Sequence, residues 1–386
     1  MSKHRGEDNQ RQSPGKRSRP APKKHLYLVL DDWEKGYSIR KIDPDALRPI
    51  SDGSTCTEQG PEQLPEPAAF RFVAPAFGTQ QFVTMGSNIV IVSSGGGETD
   101  DQAPPTLVYD TEAAALAIGP ALPGRPSGLN VAVAGGGDAL YALTTLGAGL
   151  PLAFEAFSWA RCTRDEEEPG RPTHEWSWKS VAAPPPPFAP GDAVVSAYAV
   201  HPDGRTIFVS TTRVAEHGSH RGNGGSTYSF DTTRREWRCH GAWVLPFQGQ
   251  GYFDRELDAW VGLHREKQGY ICACQVASRS GTATAAPDAD ELELEEKLFC
   301  KGGEDTPHLE ATLTYMGDSR FCLAESVALK DDVKTGHACN GCMARVTTFG
   351  LKLIRKGKLQ ITSHRTSNSY VVSKCVPSFY PLAFWM

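Results

Sequence analysis

The feature that most constrains the fold is a hairpin-like segment that recurs along the chain. Each copy has two short runs rich in Val, Ile, Phe, Tyr or Ala, separated by turn residues. The copies lie at 82–92, 131–142, 197–209, 251–262 and 311–323. Runs bounded in this way are typical of β-hairpins. Anchored on the second run, and with Leu26 opening the first, modules start near residues 26, 88, 139, 206, 258 and 320. Such a repeat predicts small sheets stacked around an axis, because no single one buries both faces alone.

A second repeated pattern supports the same module. An aromatic residue is followed by Asp, and a large apolar residue stands seven positions after the aromatic one. The clearest copies are marked by Tyr109, Asp110, Phe230, Asp231 and Trp237. Six modules fit residues 25–386, and the 38 Gly and 28 Pro disfavour a helical bundle. We therefore predict an all-β fold, a six-bladed β-propeller. Its first module lacks an early strand, which a C-terminal segment, Ser369–Lys374, is expected to supply.

Several of these segments resemble known families. The glycine cluster, aromatic–Asp pair and Trp within 224–237 resemble a degenerate kelch repeat. More closely, segments 26–32, 36–43, 107–112, 347–352 and 369–374 resemble a large, cereal-expanded plant family of unknown function that is predicted to form kelch-like propellers. This resemblance spans nearly all of residues 25–386. It implies a kelch-like β-propeller and carries no assigned reaction.

Residues 1–24 differ from the rest of the chain. They contain no bulky apolar residue after Met1 and carry four Lys and four Arg against Glu7 and Asp8, a net of 8 − 2 = +6, whereas the whole chain has −5. A segment with this composition cannot bury enough surface to offset its chain entropy. We expect a disordered basic arm at 1–24 and one propeller domain at 25–386.

The basic arm has the spacing of a bipartite nuclear-import signal. Two clusters are separated by ten residues, and the charged side chains are Lys3, Arg5, Lys16, Arg17 and Arg19. The expected partner is an importin, and the expected location is the nucleus, the cytoplasm or both. The alternative is a solubilising tail with nonspecific affinity for anions. Specific nucleic-acid binding and a membrane span are not expected, because the pI is near 6.1 and the longest uncharged stretch is short and interrupted.

One turn-like segment is a candidate metal site. Cys339 and Cys342 form a Cys-x-x-Cys pair with Asn-Gly between them, and His337 offers a third ligand for tetrahedral zinc. The alternative is a hairpin connection over 336–345 with thiols that bind nothing. Five histidines also fall in one third of the chain, and we expect them to be loop residues rather than a site; they are His201, His217, His220, His240 and His264.

No catalytic constellation or cofactor motif is recognised. The Gly-rich runs lack the Lys-Ser/Thr or helix that phosphate loops require, and Gly-x-Ser-x-Gly is absent. The favoured function is a non-enzymatic scaffold that binds a protein partner through loops at one end of the ring, with Gly95–Pro105, Asp165–Pro172 and Glu216–Gly225 as contact loops. The alternative is a propeller enzyme or metal-binding protein that uses the axial channel or the Cys339/Cys342 turn. The segment Asp288–Leu298 fits either a helical turn or a strand edge.

Overall fold

A computed structural model describes most of the chain from Lys23 onward. The described residues are 23–33, 35–50, 61–74, 80–93, 103–123, 128–135, 139–145, 152–161, 173–181, 186–188, 193–213, 224–279, 292–294, 296–298, 308–328, 341–354, 358–362, 365–373 and 380–386. Within these ranges, the only helical element is a short 3-10 turn, Pro44–Ala46, and the rest is strands, turns and irregular segments. The same residues contain no helix long and apolar enough to cross a membrane.

The described residues form 26 β-strands. The strands of the first half of the chain are β1 (Leu26–Trp33), β2 (Gly36–Ile42), β3 (Arg48–Pro49), β4 (Phe70–Val73), β5 (Gln80–Met85), β6 (Asn88–Ser93), β7 (Pro105–Asp110), β8 (Ala115–Ala121), β9 (Gly128–Gly135), β10 (Ala139–Thr145), β11 (Leu152–Arg161) and β12 (His174–Ser180). Those of the second half are β13 (Ala193–Val200), β14 (Thr206–Arg213), β15 (Gly225–Asp231), β16 (Glu236–Gly241), β17 (Phe247–Asp254), β18 (Ala259–His264), β19 (Ile271–Gln275), β20 (Leu292–Glu293), β21 (His308–Gly317), β22 (Arg320–Ala328), β23 (Gly341–Leu353), β24 (Leu359–Ile361), β25 (Thr366–Ser373) and β26 (Leu382–Trp385).

These strands pair into antiparallel groups of four. Strands β5 to β8 form one sheet and β9 to β12 another, each in chain order. Strands β13 to β16 and β17 to β20 are two such groups, joined into one eight-stranded sheet by a short parallel pairing of β13 with β17. The order β21-β22-β23-β25 carries β3 and β24 as additions. The last group, β26-β1-β2-β4, combines the two ends of the described chain.

The groups are arranged around a common axis. Their first strands are β26, β5, β9, β13, β17 and β21, and successive members from β5 to β26 contact one another. The β26 group then meets the β5 group through one apolar cluster that contains Tyr27 and Ile39 from one side and Phe82 and Ile89 from the other. The ring is therefore continuous, and the fold is a β-propeller.

The two ends of this ring differ in which strands they connect. We call "hairpin end" the end where first strands turn into second strands and third into fourth, as at Gly86–Ser87. We call "entry end" the end where first strands begin, and where the connections between second and third strands lie. Because strands within a group alternate in direction, every connection can be assigned to one end from its place in the sheet.

Turn chemistry explains the recurring aromatic–Asp pattern. Asp110 Oδ1 accepts hydrogen bonds from the backbone N–H groups of Glu112 and Ala113, and Asp231 Oδ1 does the same for the turn after β15. Four residues after each Asp the backbone turns left-handed, at Ala114 with φ 49° and at Arg235 with φ 59°. A carboxylate that satisfies two turn amides holds this geometry without glycine. A third copy of the turn, between β17 and β18, uses Asp254 and Asp258.

Large aromatic side chains fill the spaces between and within the sheets. The fully buried ones include Phe157, Phe208, Phe230, Phe247, Trp260, Phe321 and Phe349. The indole of Trp260 packs against Phe208 of the preceding group and donates to the carbonyl of Val200 at 3.1 Å. Each group thus covers an apolar face of its neighbour, which is how sheets too small to fold alone become stable together.

A buried ion pair fastens the group that contains the N-terminal strand. Arg40 is 3% exposed, and its Nη2 donates to Asp32 Oδ2 at 2.6 Å. The same guanidinium donates to the carbonyl of Pro65 at 2.9 Å and to Ser38 Oγ at 3.1 Å. This side chain therefore joins β1, β2 and the segment that leads to β4.

The second strands begin where the repeat analysis placed them. The predicted starts 26, 88, 139, 206, 258 and 320 correspond to strands that begin at Leu26, Asn88, Ala139, Thr206, Ala259 and Arg320. The closing strand was predicted wrongly. It is β26, whereas residues 366–373 form β25, the fourth strand of the preceding group. Tyr370 and Val372 of β25 are buried in that group's core, which is what gave this segment its strand pattern.

Two other local predictions are resolved by the strands. Within Asp288–Leu298 the described residues include the short strand β20, which pairs with β19, so the strand alternative applies there. The predicted hairpin connection over 336–345 is wrong from Gly341 onward, because these residues begin the long strand β23. The alternation of Cys342, Ala344 and Val346 toward the core explains why they extend the strand.

Candidate functional site

One cavity of the described structure lies on the propeller axis. Its volume is about 600 Å³, and its walls come from β5, β13, β17, β21 and β26. The lining residues on β21 and β26 stand near the starts of those strands, and Arg265 and Gln268 belong to a connection between second and third strands. The cavity is therefore at the entry end of the ring.

Hydrogen-bonding side chains dominate one half of the cavity wall. Glu310, Thr312 and Thr314 alternate along β21, so period-two geometry places all three on one face of the strand, the face that meets the segment leading into β26. Gln248 and Gln250 come from β17, where the pairing with β18 is irregular. Gly249 between them has φ +67°, which only glycine adopts without strain, and it pairs with Ala197 of β13.

A tight turn positions two further polar residues at the rim. His264, at the end of β18, accepts hydrogen bonds through Nδ1 from the backbone N–H groups of Glu266 and Lys267, both at 3.0 Å. The N–H of Arg265 donates to the carbonyl of Pro246 at 2.9 Å. These bonds fix the backbone that carries Arg265 and Gln268 beside the cavity.

Tyrosine hydroxyl groups line the wall in their neutral form. Gln250 Oε1 lies 3.5 Å from Tyr198 Oη and 3.3 Å from Tyr252 Oη. Burial raises the pKa of Tyr198 to about 12 and also raises the pKa of Tyr252. The pKa of Tyr380 is raised by burial and by the neighbouring Glu310 carboxylate. At neutral pH these phenols are hydrogen-bond donors and are poor candidates for general bases.

The C-terminal strand is held beside this cavity by threonine hydroxyls. Thr312 Oγ1 donates to the carbonyl of Pro381 at 2.6 Å, and Thr314 Oγ1 donates to the carbonyl of Ala383 at 2.5 Å. The strand also pairs with β1 over four residues. The segment that closes the ring therefore also forms one wall of the cavity.

The predicted metal ligands are only partly covered by the structure. Cys342 lies in β23, is buried in an apolar cluster, and has its Sγ 3.9 Å from Ser326 Oγ. His337 and Cys339 lie outside the described residues. In the described ranges no group of three or more His, Cys, Asp or Glu side chains is placed to hold a metal ion. The described cysteines form no disulfide with one another, and burial raises the pKa of Cys322 to about 12.

The described histidines are held in separate local structures. His201 stands in the turn before Thr206, where its Nδ1 accepts from the N–H of Asp203 at 3.1 Å. His240 is buried, its Nε2 lies 2.8 Å from Ser229 Oγ, and burial lowers its pKa. His264 is buried too and organises the turn described above. The expectation of loop histidines is thus wrong for His240 and His264, because both are in strands. His217 and His220 lie outside the described residues.

The predicted contact loops Gly95–Pro105, Asp165–Pro172 and Glu216–Gly225 lie almost wholly outside the described residues, which include only 103–105 and 224–225 of them. The import-signal residues Lys3, Arg5, Lys16, Arg17 and Arg19 also lie outside the described residues.

The residues that mark the repeat occupy matching places in their sheets. Tyr109 is paired with Leu116 across β7 and β8, and Phe230 with Trp237 across β15 and β16. Phe157 is paired with Trp178 in the same position of the degenerate third copy. The offset of seven residues is thus the separation along the chain between two paired residues, one on the third strand and one on the fourth. Both Asp110 and Asp231 cap their turns.

A family model extends over nearly all of these strands. The model described as "Protein of unknown function (DUF1668)" matches residues 23–370. The chain belongs to this family. No curated protein matches this family member.

Solved structures similar to this family member come from diverse proteins. The periplasmic gluconolactonase PpgL of Pseudomonas aeruginosa is 10% identical with a TM-score of 0.43, over 90% of this chain and 99% of that one. KlAtg21, in complex with the coiled coil of AgAtg16, is 11% identical with a TM-score of 0.38, over 89% and 82%. YCF48 bound to D1 peptide is 12% identical with a TM-score of 0.35, over 90% and 92%.

Sequence reasoning missed the residues of the axial cavity. No residue of a first strand was assigned to the axial channel, although such residues form most of the cavity wall. A signal was present in Gln248-Gly-Gln250, where polar residues alternate with glycine inside a strand pattern. The Glu310, Thr312 and Thr314 alternation on β21 was a second one.

Proposed function

We propose that this protein is a non-enzymatic scaffold that binds a protein partner at the entry end of its ring. The partner places part of its chain in the axial cavity. The observation that carries the proposal is the position and lining of this cavity, which lies at the end of the ring and offers neutral donors and acceptors around a volume of about 600 Å³. Clefts of this size with a few convergent polar groups are typical binding sites.

The chemistry of the lining favours binding of peptide groups. Gln248, Gln250 and Gln268 each present an amide that both donates and accepts, as a peptide bond does. Arg265 and Glu310 add one charge of each sign, so the rim is matched to a partner segment that carries both. Phe82 and Leu313 supply apolar surface between these groups.

The raised pKa values of the tyrosines in the cavity wall favour a binding role over proton transfer. A general base works best when its pKa is near the ambient pH. Burial moves the pKa of Tyr198 and Tyr252 upward, away from neutrality. Both hydroxyls instead donate to Gln250 Oε1 and so orient the Gln250 amide at the cavity wall.

The proposal includes a finer account of the scaffold. We take the six four-stranded groups as kelch-like blades, in a family that is plant-specific and expanded in cereals. The matching positions of Tyr109, Phe157 and Phe230 in their sheets support a common blade pattern. The basic arm directs the protein to the nucleus through an importin, and the protein functions there or in the cytoplasm.

The test compares partners recovered by the wild-type chain and by a cavity variant. Full-length protein with Arg265→Ala and Gln250→Ala is used as bait beside the wild type, in extract from the source tissue. Proteins that the wild type recovers and the variant loses are identified by mass spectrometry. We expect at least one such protein, with affinity reduced about 10-fold or more on loss of two central contacts.

A matched control makes the comparison specific. Arg234 is an exposed arginine in the turn after β15, at the hairpin end. Arg234→Ala should leave partner recovery unchanged. Equal recovery by all three proteins, with the fold intact by circular dichroism, would refute binding at the cavity.

The alternative of a metal centre at Cys339, Cys342 and His337 is separated by elemental analysis. Stoichiometric zinc or iron in the purified protein that is lost on Cys339→Ser would favour a metal site. Protein that is folded and free of metal would eliminate it. The buried place of Cys342 in β23 favours the second result, because a thiol within an apolar cluster is poorly exposed to a metal ion.

A further inference from the structure

A second groove lies at the hairpin end, between the β5–β8 and β9–β12 sheets. Its volume is about 720 Å³, and it is distinct from the axial cavity. Trp159, His174 and Trp176 form one wall, and Leu116 and Asp110 belong to the other. Trp159 is 53% exposed and Leu116 is 43% exposed. Large apolar side chains exposed together in this way indicate a binding surface.

The aromatic wall is a series of rings in contact with one another. The indoles of Trp159 and Trp176 are 5.2 Å apart at 61°, and the imidazole of His174 is stacked at 15° on Trp159. Trp176 in turn stacks on the buried ring of Phe157 at 5.1 Å. Faces of tryptophan attract cations, and the Asp110 carboxylate stands on the facing wall. The groove therefore has the chemistry of a site for lysine or arginine side chains.

The basic arm enters the described structure at this same end of the ring. Strand β1 is the second strand of its group, so residues 23–25 lie at the hairpin end. Lys23 is anchored there, with its Nζ 2.7 Å from Asp43 and 2.9 Å from Asp45. Four residues later, Tyr27 Oη donates to the carbonyl of Thr111 at 3.4 Å. Thr111 directly follows Asp110 of the groove.

The length and the net charge of the N-terminal arm also fit binding in this groove. The 22 residues before Lys23 can span up to roughly 70 Å when extended, which exceeds the roughly 55 Å diameter expected of a compact domain of this size. These residues contain two Lys and four Arg against one Glu and one Asp, a net of 6 − 2 = +4. The turn that follows Asp110 adds the acidic Glu112.

We infer that the groove between the β5–β8 and β9–β12 sheets binds lysine and arginine side chains of the protein's own N-terminal arm. Occupation of the groove withholds those side chains from any other acceptor of the arm, including an importin. This inference goes beyond the proposed function, because it concerns a different surface and needs no partner protein.

The test uses a labelled peptide of residues 1–24 and full-length protein in fluorescence anisotropy. One full-length variant carries three substitutions that weaken the binding of its own attached arm: Lys16→Gln, Arg17→Gln and Arg19→Gln. The free peptide should bind this variant at least about 10-fold more tightly than the wild type, whose own arm competes. Adding Trp159→Ala to the same variant should weaken the peptide about 10-fold. Ile118→Ala, which removes an exposed side chain of β8 outside the groove, should change nothing.

Each other outcome overturns the inference. No peptide binding, or equal binding with and without Trp159, would show that the groove does not hold the arm. Equal affinity for the wild type and the arm variant would mean that the attached arm does not occupy the groove. A carbodiimide cross-link between the arm and Glu112 should form within one chain. Cross-linked dimers alone would assign the arm to a second copy instead.

Discussion

Two threonine hydroxyls hold the closing strand β26 against β21, in addition to the pairing of β26 with β1, and this contact can be removed by a small perturbation. Thr314→Val keeps the side-chain shape and removes the donor to the carbonyl of Ala383 at 2.5 Å. Thr314 is 6% exposed and Ala383 is 4% exposed, so the bond joins two buried residues. Loss of a buried hydrogen bond of this kind costs about 1–3 kcal/mol.

Adding Thr312→Val removes the second bond, from Oγ1 to the carbonyl of Pro381 at 2.6 Å. The double variant should lose about 2–5 kcal/mol, a large share of the ~5–15 kcal/mol that holds a typical domain folded. Urea unfolding followed by circular dichroism measures this loss. Thr348→Val serves as a matched control, because its hydroxyl contacts Thr366 and not the closing strand.

Hydrogen exchange distinguishes local opening from a general loss of stability. In Thr314→Val the amides that join His25 to Met386 and those of β1 should exchange faster than in the control at equal global stability. A loss below about 0.5 kcal/mol in the double variant, with unchanged exchange in β1, would refute the reasoning that these bonds hold the ring closed.

Three further predictions concern other parts of the chain. Arg40→Met should destabilise the fold by about 3–5 kcal/mol, since Asp32 would remain buried without its partner, and adding Asp32→Leu should recover most of this loss in urea unfolding. Burial alone would raise the pKa of Asp203, but hydrogen bonds from two backbone amides and Thr206 hold it at about 2. The folded-state pKa is thus lowered, so the stability difference between wild type and Asp203→Ala should be full above pH 4 and shrink as the pH falls toward 2. A fluorescent fusion without residues 1–24 should lose nuclear enrichment, and an unchanged distribution would eliminate the import signal.

The sequence was most informative about repeated local structure. Hairpins are specified by short patterns, and the start of each second strand was predicted within one residue because turn residues such as Gly86 and Gly204 mark it directly. The Asp residues of the repeat were also recognisable, since a turn-capping carboxylate has a fixed place in the sequence. These features depend on neighbours along the chain.

Contacts between distant segments were harder to predict. Both Ser369–Lys374 and Leu382–Trp385 have a strand pattern, and only the packing of Tyr370 into the preceding sheet decides which of them closes the ring. The axial cavity was missed for a related reason. Its wall combines residues from five strands that are far apart in sequence, such as Phe82 and Tyr380, and no local pattern links them.

The exposed groove was not predicted from the sequence. The two indole rings of the Trp176-Ser-Trp178 segment have different roles: Trp178 Nε1 donates to Thr106 Oγ1, whereas Trp176 lines the groove. Which tryptophan is buried depends on the neighbouring sheet, and that could not be inferred from spacing alone.

The central claim, that a protein partner binds at the entry end, is tested most directly by cross-linking mass spectrometry of the recovered complex. Lys267 lies in the turn beside Arg265 and Gln268, at the entry end, whereas Lys352 and Lys358 lie at the hairpin end. Binding at the cavity predicts partner cross-links to Lys267 that disappear with Arg265→Ala and Gln250→Ala. Cross-links confined to Lys352 and Lys358, unaffected by those substitutions, would contradict it.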